Sequence, residues 1–458
     1  MSAPLLWIFF PGFLAILLFV FRKLEKATAF IGAMVAFALA VLAWKMPLSD
    51  LISFGPWSFQ FTSSMSVLGR QLVLADNTRS ILGLIYLMTA FWFGGAFKAR
   101  AGSLFVPLGL GIVTLLTAAL AVKPFLYAAL FIQIAAFMSV PLLSSPGQQV
   151  GRGILRFLTF QTVGTPFILL TGWLITGAEA VPGDNTSFLR TIIPLGFGFS
   201  FLLAVFPFHT WVSMLAEEAH PYAAAFILFL LPGIVSIFGL GFFESYAWMR
   251  NSPIIFTVLR LTGVIMVVTG GGMAAFQTHL GRMLGYAVTV DIGLSLISIG
   301  IHRGINIGAT GFSPSLSIFF ALFLSRGLAL GVWALALSTI QDRSKGMSFR
   351  EVQGIGRMLP LAAVAVILAH FSMAGYPLLA GFPPRLALFG ELGQISPLSI
   401  FWVLAGSFGL LAGGLRSLAV LVMGEKNDPW RINENRALIL LLGLGVAALF
   451  LAGLYPLV

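Results

Sequence analysis

The sequence predicts an all-α polytopic membrane protein with about 14 transmembrane helices. Three observations carry that fold class. First, 59% of the 458 residues are hydrophobic and only 9% are charged, whereas a soluble protein carries about 25% charged residues. Second, apolar runs near the ~20 residues that a bilayer requires recur along the whole chain. Third, the basic loops between those runs fall on one side when the runs are counted in order.

The runs lie at approximately 4–21, 27–44, 80–97, 104–122, 124–143, 154–176, 188–207, 222–246, 254–275, 283–301, 315–340, 359–390, 398–422 and 437–456. The first has no basic leader and no small-residue cleavage site, so it is read as a retained helix. Segment 45–79 is too short in apolar run to span. Its alternating Trp57, Phe59 and Phe61 indicate a surface hairpin or an interfacial piece. Lys123 and Pro124 separate the fourth run from the fifth. Arg22, Lys23 and Lys26, then Lys98 and Arg100, then Arg152, then Arg343, Lys345, Arg350 and Arg357, and finally Lys426, Arg431 and Arg436 occupy loops of one side. The positive-inside rule places that side in the cytoplasm of an inner (plasma) membrane and both termini outside.

The net charge of +11 belongs to those loops, so no nucleic-acid partner is expected. The chain has no cysteine, which excludes disulfides, thiol chemistry and Cys-ligated clusters. His209, His220 and His279 lack ligand spacing, and no metal is expected. Gly270 to Gly272 lacks the strand–helix context of a phosphate loop. No cofactor site is expected.

The densest chemistry lies between Ala204 and Leu240. Pro207 ends an apolar run, because proline cannot continue the backbone ladder. A polar island of His209, Trp211, Glu217, Glu218 and His220 follows, and Pro221 opens the next run. It reads as a tight cytoplasmic turn. A second interruption lies at Gly375, Pro377, Gly381, Pro383 and Pro384. Paired breaks in the two halves of a hydrophobic chain point to an inverted repeat.

Four stretches resemble motifs of one family. VFPFHTW with EEAHP is similar to a proline–histidine–tryptophan signature of the antiporter-like membrane subunits of NADH:quinone oxidoreductase (complex I) and Mrp antiporters. Gln277 to Gly293, Arg350 to Pro360 and Ser372 to Phe389 resemble three further motifs of those subunits, in the same order. Gly414-Leu415-Arg416 is similar to a feature closest to subunit N. The resemblance covers roughly residues 100–420. It implies two inverted five-helix repeats with broken helices seven and twelve, and a proton path along the membrane midplane. The domains are then 1–100 (three helices and a surface loop), 101–250 and 251–423 (the repeats), and 424–458 (a loop and the last helix).

Projected onto this chain, the family's ionisable positions are altered. The Glu of span five falls near Ala135 or Ala136, with Gln133 the nearest strong polar group. The Lys of span seven falls on Leu202, and the polar residue of span eight near Ile234. The His of span ten falls on Asp291, and the Lys residues of spans eleven and twelve on Arg326 and Arg385. A lysine in a low-dielectric site sheds its proton; an arginine keeps it. Asp291, Arg326, Arg385, His370 and Arg416 are the candidates for an ion path or a buried electrostatic set. Asp291 is expected to pair with Arg326 or Arg385, because an unpaired charge in mid-membrane costs roughly 2.5–3.5 kcal/mol. The resemblance implies a non-redox membrane-arm subunit, not catalytic alone, of a complex-I-like ion-translocating complex. Its proton path would be degenerate and its role structural or coupling, with membrane lipid and other membrane subunits as partners. The alternatives are a stand-alone secondary transporter of an ion or solute, and a membrane scaffold for a soluble partner.

Overall fold

A computed structural model describes residues 2–46, 51–54, 57–60, 62–67, 69–74, 76–144, 150–178, 185–301, 314–423 and 432–455. They are mostly helical. In chain order the helices are α1 (Phe10–Val20, preceded by a π-helical turn Leu5–Phe9), α2 (Glu25–Lys45), α3 (Arg79–Ala96), α4 (Phe105–Ala121), α5 (Ala128–Leu143), α6 (Arg152–Ala178) and α7 (Asn185–Leu202). There follow α8 (Thr210–Glu218), α9 (Pro221–Ser245), α10 (Ala247–Arg250), α11 (Pro253–Phe276), α12 (Leu280–Gly300) and α13 (Pro314–Gln341). The last four are α14 (Pro360–Ala374), α15 (Phe382–Gly393), α16 (Pro397–Val422) and α17 (Arg436–Leu454). Proline stands in the first turn of α9, α11, α14 and α16, where its missing N–H has no intrahelical partner to lose.

Among the described residues, ten helices are long and apolar enough to cross a membrane. Four shorter apolar helices, Leu5–Val20, Phe105–Ala121, Arg190–Leu202 and Pro360–Ala374, accompany them. Large apolar side chains stand outward, among them Phe13 and Phe30 at 69% exposure and Phe276 at 82%. Such a surface is stable only against lipid or another protein. The protein is an integral membrane protein.

Two predicted features change form. The polar island is not a tight turn: its centre is the nine-residue helix α8. The reason is a 3.6-residue period, for Trp211, Val212, Leu215 and Ala216 are all buried. Pro383 and Pro384 do not interrupt a helix; they occupy the first turn of α15 and start it. Segment 45–79 contains two antiparallel hairpins. Leu51–Phe54 pairs with Trp57–Gln60, and Ser64–Val67 with Arg70–Val73, which also pairs with Val122–Lys123.

The chain divides into two compact units. The first comprises 1–149, 156–202 and 237–239. Its core includes Trp7, Trp92, Phe93 and Phe105, all fully buried. Trp7 is fastened from both ends: its indole N–H donates to the Leu39 carbonyl (3.2 Å), and its own carbonyl accepts from the Tyr86 hydroxyl. The second unit comprises 150–155, 203–236 and 240–458. It is built around α12, in which every residue but Arg282 is buried. Helix α8 lies on α12 at Gly285, where an added Cβ would fall 2.6 Å from the Ser213 Cα. Only glycine admits that approach of two backbones.

Candidate functional site

In the second unit, α12 and α13 bring one carboxylate and one guanidinium together in an apolar interior. The Arg326 side chain meets Asp291 at 3.0 Å, and the two side chains are 1% and 4% exposed. The rings of Phe323 and Phe229 lie 5.5 Å and 5.9 Å from the guanidinium carbon. Among the described residues, the Nε and second terminal nitrogen of Arg326 have no hydrogen-bond acceptor. Desolvating each ion costs several kcal/mol, which only a close partner offsets. Asp291 and Arg326 are therefore mutually dependent.

Arg385 is placed differently. It is buried on α15, near enough to Asp291 for a Coulomb interaction through space. At the end of α14 it donates to the Ala374 carbonyl (2.8 Å) and to the Met373 carbonyl, and on α16 it donates to Ser407 Oγ (3.0 Å). Terminal helix carbonyls have no intrahelical donor and carry the negative end of the helix dipole, so a fixed cation is their natural cap. Gly375 ends α14 with φ +82°, and the Arg385 stem passes directly over it. Pro377 lies in the connection that follows, and Gly381 N–H donates to Ser372 Oγ at 3.2 Å.

His370 is fully buried in α14 and stacks on Trp333 of α13, centroids 4.5 Å apart. Arg416 does not join this set. It is exposed, lies over the Phe349 ring at 5.6 Å and donates to the Ala275 carbonyl near the end of α11. The bond across to Ala275 makes it a fastening of α16 to α11.

The polar residues around α8 hold helix ends. Glu218 accepts from the Gly153 N–H (2.6 Å) in the first turn of α6, where a negative charge complements the dipole. Glu217 pairs with Arg282 of α12 at 2.7 Å, both partly exposed. His209 stacks on Phe206 at 5.5 Å, next to Pro207 in the linker before α8. Trp211 is buried. His220 and His279 precede α9 and α12. Burial pushes the imidazoles of His220 and His279 below their usual range; Asp342 opposes this at His220, and Glu217 at His279.

In the first unit the polar side chains buried among the described residues are neutral. Ala135, Ala136 and Leu202 are buried and apolar, as is Ile234 in the second unit. Gln133 Nε2 donates to Thr162 (2.9 Å), and the Thr165 hydroxyl donates to Gln133 Oε1 (2.9 Å). Gln161 Nε2 donates to the Leu202 carbonyl (3.2 Å), the last residue of α7. Gln161 and Thr165 were not singled out in the sequence. The signal was present: Gln161, Thr162 and Thr165 place polar atoms at one-turn spacing within an apolar helix, where each needs an internal partner.

A family model described as NADH:quinone oxidoreductase/Mrp antiporter, transmembrane, matches residues 86–413. NAD(P)H-quinone oxidoreductase chain 4-3 of Nostoc sp. is 29% identical over 275 residues, covering 56% of this chain and 44% of the relative. NADH-quinone oxidoreductase subunit N of Rhodospirillum rubrum is 29% identical over 211 residues, 45% of this chain and 40% of the relative. The chain thus spans less than half the length of these two curated relatives. A chain of the Mrp complex from Dietzia sp. has the same fold, with a TM-score of 0.79 at 16% identity over 99% of this chain and 94% of that one.

Proposed function

The chain belongs to the NADH:quinone oxidoreductase/Mrp antiporter membrane family, and from that premise we propose that it is a membrane-arm subunit of a complex-I-like ion-translocating complex. Its role there is structural or coupling, and it does not exchange protons through two titrating half-channels. Redox chemistry resides in partner subunits, in keeping with a chain that has no cysteine. The finer architecture belongs to the same reading. The four shorter apolar helices join the ten longer ones as fourteen spans. Residues 101–250 and 251–423 form the inverted repeats, α7 with α8 and α14 with α15 are the broken helices, and both termini lie outside the cytoplasm.

The observation that carries this reading is the closed Asp291–Arg326 pair. A relay group has to gain and lose a proton within the membrane. An arginine keeps its proton, and the Asp291 carboxylate is engaged by it in a salt bridge rather than free to serve a passing proton. The positions matched to the first-half relay, Ala135 or Ala136, Leu202 and Ile234, have no proton to give.

The test is reconstitution of the native complex in vesicles with Asp291→Asn and, separately, Leu202→Lys. Asp291→Asn is expected to reduce assembly, with flux per assembled complex preserved. Intact assembly with abolished proton flux would sink the reading. Gently solubilised protein is expected to carry stoichiometric partner chains; a protein that runs only as a monomer favours the stand-alone transporter instead.

A further inference from the structure

One face of the first unit gathers cations that nothing in the described chain neutralises. Arg22 and Lys23 lie in the turn between α1 and α2, and Lys26 in the first turn of α2. Lys98 lies in the turn after α3. The two turns meet on one ring: Lys26 Nζ is 5.2 Å and Lys98 Nζ 5.7 Å from the Phe97 centroid. The two ammonium groups are therefore within about 11 Å of each other. The Arg22 guanidinium lies over Phe19 at 4.5 Å. Among the described residues none of these four cations has a carboxylate within salt-bridge distance. The one acid of these two turns, Glu25, is exposed.

Apolar surface continues directly from the cations. Val20 is 69% exposed, Leu24 60% and Phe30 69%. A cationic rim on an exposed aromatic and aliphatic face matches a molecule with an anionic head and apolar tails. A soluble anion has no use for the apolar half, and a zwitterionic lipid would set its own cation against the rim. We propose that this face binds an anionic phospholipid. Lys26 and Lys98 hold its phosphodiester, Arg22 and Lys23 add to the field, and the acyl chains lie along α1 and α2. Cation–ring contacts hold the ammonium groups at the level of the headgroups, where each cation favours anionic lipid several-fold.

The probe is phosphatidylglycerol, compared with phosphatidylethanolamine of the same acyl chains, bound to the full chain in mild detergent and counted by native mass spectrometry. Phosphatidylglycerol is expected to be retained preferentially. The double variant Lys26→Ala/Lys98→Ala should weaken it by roughly 25-fold and leave phosphatidylethanolamine unchanged. Lys26→Arg/Lys98→Arg should retain it, and the exposed Lys345→Ala should change nothing. Equal retention of the two lipids by the native chain would overturn the proposal, as would undiminished binding in the double alanine variant. So would displacement by millimolar inorganic phosphate, which would make the site a soluble-anion site. If the alanine variant fails to fold, raising salt from about 0.05 to about 0.5 M on the native chain replaces it. Retention must then fall, and retention indifferent to salt overturns the proposal.

Discussion

Two helices of this protein stop inside the apolar interior, and each leaves a carbonyl end that a neighbouring side chain covers. At the end of α7 the cover is the neutral amide of Gln161 on the Leu202 carbonyl. At the end of α14 it is the Arg385 guanidinium on the Met373 and Ala374 carbonyls. A hydrogen bond from a neutral amide contributes about 0.5–1.5 kcal/mol, and one from a charged group about 1.5–3 kcal/mol. The charged cover is stronger, but it brings a cation that must be stabilised. The second unit supplies that stabilisation with two carbonyls, Ser407 Oγ and the Coulomb field of Asp291. The first unit avoids the cation and builds an amide–hydroxyl network instead. The lesson is that a broken membrane helix can be sealed with or without charge. Only the charged seal obliges the surrounding helices to hold further ions.

The comparison breaks most severely at the ion pair. Asp291→Leu should destabilise the second unit by about 3–5 kcal/mol, because it strands a buried guanidinium. The double change Asp291→Leu/Arg326→Leu should restore most of that loss. Thermal unfolding in detergent, followed by size-exclusion, measures both, and a double variant no better than the single one would mean the pair is not a unit. Next in size is Gly375→Ala. A left-handed backbone and the Arg385 stem above it together predict a loss of about 2–4 kcal/mol, measured in the same assay. An unchanged midpoint would show that the charged seal tolerates displacement.

Gln161→Leu removes the neutral seal and leaves the Leu202 carbonyl without its donor, at a cost of about 1–3 kcal/mol. Because the chain has no cysteine, a single cysteine introduced at Leu203 reports the effect as faster thiol labelling. Equal labelling rates would show that the amide does not hold the break. The smallest effect belongs to the histidines near α8 and α12. Burial lowers His220 and His279 in the folded protein, so the unfolded chain binds protons more readily than the folded one as pH falls through about 6.5. Stability is therefore full above that pH and declines below it. His279→Asn should flatten part of the decline in midpoint between pH 7 and 5.

The membrane class and the long apolar helices were legible because both depend on long runs of one residue type. The same was true of the family, since its motifs are local. The Asp291–Arg326 partnership was legible only as one of two choices, because sequence spacing does not say which guanidinium faces the carboxylate. The motif around Arg416 groups it with the buried charges, yet it stands exposed on α16. The island from His209 to His220 has the charge of a turn, and only the burial of Trp211, Val212, Leu215 and Ala216 makes its helical period decisive.

By itself, the sequence determined that this chain lives in a membrane and where its long apolar helices run. These follow from residue type, which transfer free energy reads without reference to neighbours. Tertiary structure alone decided that Arg326 takes Asp291 while Arg385 seals α14, and that Gln161 seals α7. Those choices depend on which polar groups meet across helices distant in sequence. In a medium without water, a buried polar group is stable only beside the partner that packing brings to it.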